Sequence, residues 1–116
     1  MDRFEELVNE IKSRVFDGRG FVKANAEEVA EVLKDFGVKT GSVSRYYCEF
    51  LSGNVVYHER LGEIRIYGGN TCKISRWSRK PVYIYPYIAI PLDLSDEDIK
   101  KALEVLKRGV ENEGLD

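Results

Sequence analysis

The sequence predicts an α+β fold in which helical segments flank a strand-rich centre. Three observations predict it. Apolar residues recur at spacings of three and four near both ends of the chain. Between residues 55 and 90, β-branched and aromatic residues dominate and partly alternate with polar ones. Turns containing Gly and Asn separate the segments.

Residues 3–16 read as the first helix, with Phe4, Leu7, Val8, Ile11 and Val15 on one face. Asp17-Gly18-Arg19-Gly20 stops it, since glycine tolerates the left-handed conformation of a helix end. Phe21, Val22 and Lys23 suit a short extended segment. Asn25 then caps a second helix running to Phe36, with Glu28 in the capping-box position and Val29, Ala30, Val32, Leu33 and Phe36 facing inward. Gly37 breaks it. Residues 38–41 form a turn, and a third helix is expected over 42–52, capped by Thr40 or Ser42, with Val43, Tyr47, Phe50 and Leu51 inside.

Residues 55–60 and 63–67 read as two strands around Leu61-Gly62, and Gly68-Gly69-Asn70 is a turn signal. Residues 71–77 suit a third strand. The run 82–90 is strongly β-prone, but Pro86 cannot donate a ladder hydrogen bond, which confines it to a sheet edge, a bulge or an extended arm. Ser95 caps a last helix with Asp98 as the capping-box acid. Ile99, Leu103, Leu106 and Val110 form a seam that suits packing or dimerisation.

The chain of 116 residues is 43% hydrophobic and 33% charged, enough for one packed core. Its longest apolar-rich stretch, residues 82–92, is too short to span a bilayer and is interrupted by two prolines. The N-terminus is acidic and amphipathic and unlike a signal peptide. A cytoplasmic protein with no membrane partner is the expectation. Cys48 and Cys72 make neither a disulfide framework nor a zinc site, and each is expected as a buried small hydrophobe. The absence of glutamine and the wealth of Lys and Glu lean toward a thermophile.

The net charge of −2 hides an asymmetry. Residues 1–38 carry six basic and nine acidic side chains, net −3. Residues 39–80 carry eight and three, net +5, and residues 81–116 four and eight, net −4. A basic centre can attract phosphate even in a slightly acidic chain.

The text AEEVAEVLKDFGVKTGSVSRYYCEFL over residues 26–51 resembles the helix-turn-helix of winged-helix proteins. With the flanking segments, the resemblance covers residues 3–67. It implies a winged helix-turn-helix of three helices plus a β-hairpin or small antiparallel sheet. Residues 1–94 would be that domain with a β-extension, and 95–116 an additional C-terminal helix of the same domain. It also implies a DNA-binding transcription regulator, a homodimer on double-stranded DNA through Ile99, Leu103, Leu106 and Val110, whose third helix enters the major groove. Thr40, Ser42, Ser44, Arg45, Tyr46 and Glu49 would take the recognition-helix positions, with Arg45 donating to a guanine edge. Arg60 and Arg65 would flank the wing, and Lys73, Arg76, Arg79 and Lys80 would add phosphate contacts.

Two further readings use the same residues. One is a protein-interaction module on that scaffold. The other is a single-strand binder using Trp77 and the tyrosines at 83, 85 and 87. Trp77 by itself reads first as a packing residue. Catalysis is not expected: His58, Glu59 and Glu63 are the only acid/base-like grouping, and adjacent strand residues point to opposite faces. No cofactor or metal site is legible.

Overall fold

The computed structural model describes residues 2–15, 26–46, 54–69 and 71–113, without the side chains of 26, 71 and 109–113. The element order is α1 (Arg3–Val15), α2 (Ala26–Leu33), a 3-10 turn (Lys34–Phe36), β1 (Lys39–Arg45), β2 (Val55–His58), β3 (Glu63–Tyr67), β4 (Thr71–Ile74), β5 (Pro81–Pro91) and α3 (Asp96–Glu113). The strands make one antiparallel sheet in the order β1-β5-β3-β2, with β4 also paired to β5.

Local chemistry sets the helix ends. The Asp2 carboxylate accepts from the Glu5 N–H at 2.8 Å and caps α1. Ser95 Oγ accepts from the Asp98 N–H at 3.1 Å and caps α3, at the position its sequence marks. Gly37 ends the 3-10 turn at φ 80°, and its N–H returns to the Lys34 carbonyl. The Asp17–Gly20 stop, the 21–23 segment and the Asn25 cap lie outside the described residues.

The helices cover one face of the sheet. Leu7, Val8, Ile11 and Val15 of α1, Val29 and Leu33 of α2, and Ile99, Ala102, Leu103 and Leu106 of α3 form one core. Val38, just before β1, and Ile66, Ile88 and Ile90 of the sheet join it. Alternation along a strand places these three isoleucines on the helix side. A Glu6–Lys107 ion pair of 2.8 Å ties α1 to α3 at the rim. The seam of Ile99, Leu103 and Leu106 therefore faces this chain's own core, and the side chain of Val110 is outside the described set.

This layout overturns the winged-helix fold. The decisive difference is the third helix: residues 39–45 are a strand, paired from Lys39 opposite Ala89 to Arg45 opposite Tyr83. Three serines or threonines, a glycine and a β-branched valine within KTGSVSR make a poor helix interior. A seven-residue partner on β5 offers the backbone a complete ladder instead. The chain is α+β; among the described residues, three helices lie against a five-stranded sheet and there is no helix-turn-helix. Thr40, Ser42, Ser44 and Arg45 cannot be recognition-helix positions; Tyr46 follows the strand at a bend, and Glu49 is outside the described residues.

Candidate nucleic-acid interface

The strand β5 is long enough to serve two purposes. Its C-terminal half, Tyr87 to Pro91, pairs with β3, and its N-terminal end, Pro81 to Ile84, pairs with β4 on the same side. Tyr67 lies opposite Tyr87, but Thr71 lies opposite Ile84. Four steps on one strand thus match three on the other, a one-residue offset between Tyr67 and Thr71. The Gly68 N–H donates to the Pro86 carbonyl at 2.8 Å inside this break. Pro86 is thereby accommodated opposite this offset, one of the places its missing N–H allows. Together, β3, β4 and β5 are one long bent hairpin.

The hairpin tip is residues 75–80. It is closed by the Ser75 N–H to the Lys80 carbonyl at 2.8 Å and by the Arg79 N–H to the Ser75 carbonyl at 3.0 Å. Two serine hydroxyls brace it: Ser75 Oγ accepts from the Ser78 N–H and Ser78 Oγ from the Lys80 N–H, both at 3.4 Å. Arg79 takes the left-handed conformation at φ 54°. Pro81 stands first in β5, where its ring is tolerated.

The tip presents Trp77, 94% exposed, with Ile74 beside it at 68%. Lys73, Arg76, Arg79 and Lys80 are all exposed around it. Residues 64–92 contain five cations and no acid; Arg65 is matched by Glu63 at the start of β3, and the other four, Lys73, Arg76, Arg79 and Lys80, gather around the tip. Arg45, half-buried, lies opposite Tyr83, which in turn lies opposite Cys72; this row brings Arg45 and the exposed Tyr46 to the same end.

The other expected contacts lie elsewhere. Thr40, Ser42 and Ser44 are exposed along β1 on its helix-side face, opposite Ile88, Pro86 and Ile84. Arg60 sits in the β2–β3 turn, and Gly62 of that turn accepts from the Leu92 N–H at 2.8 Å, which puts Arg60 at the far end of β5. At strand rise, that is about 33–37 Å from the tip.

Arg65 is committed to a polar cluster on the face away from the helices. Its Nε donates to Glu63 Oε2 at 2.7 Å, and its guanidinium carbon lies 4.2 Å from the Tyr87 ring centroid. Lys39 Nζ is 3.5 Å from the other Glu63 oxygen. Glu63 is only 4% exposed. Burial pushes its carboxyl up, but the Arg65 hydrogen bond and the charges of Arg65 and Lys39 outweigh that and hold it below the usual carboxylate range. Burial likewise opposes charge on Arg65, and its bonds to Glu63 and Tyr67 more than offset this. The Tyr87 ring tilts against Tyr67 at 5.5 Å and lies across Gly41, where any side chain would overlap it. His58 Nε2 is 3.5 Å from the Tyr67 hydroxyl.

The tyrosine strand is therefore no open stacking surface. Tyr85 is fully buried, Tyr87 lies under Arg65, and Tyr83 is half-buried. Sequence reasoning read Trp77 first as a packing residue, with an exposed stacking ring as the alternative, and the ring is exposed. The signal against packing was local: in a strand, Ser75 and Arg79 would share its face, and neither is apolar. Cys72, expected to be buried, is an exposed free thiol. It stands at a strand position outside the core. Cys48 lies outside the described residues.

Among the described residues, no helix is long and apolar enough to cross a membrane. No protein-family model, curated protein or solved structure matches the chain. Nothing in those comparisons identifies a winged-helix relative.

Proposed function

We propose that this chain binds nucleic acid through the β4–β5 arm. The observation that carries the reading is Trp77 fully presented at a closed tip, among four cations, on a hairpin whose residues 64–92 hold no acid. Exposed large apolar side chains set within positive charge are what a polyanion with flat bases requires. The closed tip lowers the ordering cost of binding, because its backbone is already hydrogen-bonded.

Arg45, Lys73, Arg76, Arg79 and Lys80 share one end of the sheet, which favours binding over scattered surface charge. Among the described residues, the ion pairs of α1 and α3 are Arg14–Glu10 and Lys107–Glu6, and neither involves Lys73, Arg76, Arg79 or Lys80. On this reading, phosphate contacts supply the affinity and the arm replaces the recognition helix. A regulatory role on duplex DNA remains one use of such an arm.

The test is the affinity of the purified protein for a labelled oligonucleotide, titrated from low to physiological salt. The reading expects log affinity to fall linearly with log salt, by about 0.7–0.9 per phosphate contacted. No binding at low salt would reject it.

A further inference from the structure

Resting on the reading of the arm as a nucleic-acid contact, we infer that Trp77 stacks on a single unpaired base, so that the arm takes single-stranded nucleic acid in preference to duplex. The indole is the largest apolar ring in the chain, and the tip leaves it in water. Among the described residues, the close aromatic pair is Tyr67 with Tyr87, and the guanidinium over a ring is Arg65 over Tyr87. The faces of Trp77 carry neither kind of partner.

An indole offers one N–H donor and no acceptor, so it reads base-pair edges in a groove poorly. What it offers is a flat face. In a duplex, each base face is already stacked on its neighbours; an unpaired base leaves one free. The flanking side chains suit that use. Ser75 and Ser78 are small and already engaged in bracing the loop, which leaves the approach to the ring open. Arg76, Arg79 and Lys80 lie within three positions of the ring and would hold the phosphates on either side of the stacked nucleotide. The buried or half-buried tyrosines of β5 offer no continuation, so the site takes one base rather than a run.

Trp77 is the only tryptophan, so intrinsic tryptophan fluorescence reports this residue alone. The experiment adds three probes to the intact protein at low salt: an oligothymidylate of about 12 nucleotides, an abasic strand of equal length and charge, and a blunt duplex. Binding is followed in parallel by anisotropy of a labelled strand. The expected result is strong quenching by the thymidylate strand alone, and about 5- to 150-fold weaker thymidylate binding for Trp77→Ala, partly restored by Trp77→Phe. Equal affinity for all three probes, or binding unchanged in Trp77→Ala, would overturn stacking while leaving phosphate binding in place. Failure of every probe to bind would reject the arm as a nucleic-acid contact altogether. A blue shift with anionic vesicles, without quenching by any strand, would assign the ring to a lipid surface and overturn the proposal. Because Trp77 is exposed, Trp77→Ala is expected to fold, which circular dichroism checks.

Discussion

The two ends of β5 make opposite use of one strand. At the C-terminal end, Ile88, Ala89 and Ile90 are fully buried between neighbouring strands, and α1, α2 and α3 close over Ile88 and Ile90. At the N-terminal end, Pro81 is exposed, Val82 to Ile84 are half-buried, and the strand leads out into a basic tip. The register offset between Tyr67 and Thr71 marks the change from one regime to the other. The difference teaches that this sheet holds its shape at one end and is free to present side chains at the other. Substitutions should divide accordingly, into those that cost stability and those that cost binding.

The largest separation is expected from Leu106→Ala, which opens a cavity beneath α3 and should cost about 2–5 kcal/mol in denaturant unfolding. Trp77→Ala should shift the same measurement by less than about 0.5 kcal/mol. Comparable losses from the two would erase the distinction between the ends. Replacing Lys73, Arg76, Arg79 and Lys80 together by alanine should lower the salt slope of binding by roughly 3 if all four touch phosphate, with the melting temperature little changed. An unchanged slope would move the phosphate contacts elsewhere.

Glu63→Gln sharpens the comparison on the stable side. It leaves Arg65 partly buried without its counter-charge and should cost about 1–3 kcal/mol. The sign with pH follows from the depressed carboxyl. The advantage of wild type over Glu63→Gln is fully present above the unfolded value of about 4.3. It shrinks as pH falls through the lower folded value. A difference that persists in strong acid would show that the charge of Glu63 is not what stabilises the cluster. The smallest effect is expected from Arg60→Ala, at the far end of β5, which should leave affinity and salt slope unchanged within error.

Much of the architecture could be read from local pattern. The apolar spacing of α1 and the serine cap of α3 place those helices within a residue or two of where they lie. The Leu61-Gly62 turn places β2 and β3. β1 was not legible. Val43, Tyr47, Phe50 and Leu51 imitate a helical face, and within residues 39–45 only Val43 is strongly apolar, so neither period is established. The partner that decides the matter, β5, lies some forty residues away in sequence, and no local propensity reports it.

The site was half legible for a related reason. The charge count located the basic centre, but a count does not say which cations share an end. Arg65 proves to be tied to Glu63, two residues away on the same strand face, and Arg60 falls at the wrong end. Packing was the first reading of Trp77 because tryptophan is usually packed; the exposed ring was the second. Only the polar character of Ser75 and Arg79 spoke against packing.

The most direct test of the account is to map backbone amide shifts while an oligonucleotide is titrated into the labelled protein. The account predicts that perturbations gather at residues 71–84 and at Arg45 and Tyr46, with residues 88–106 unmoved. Perturbations centred on α1 and α3, with the tip unchanged, would contradict it.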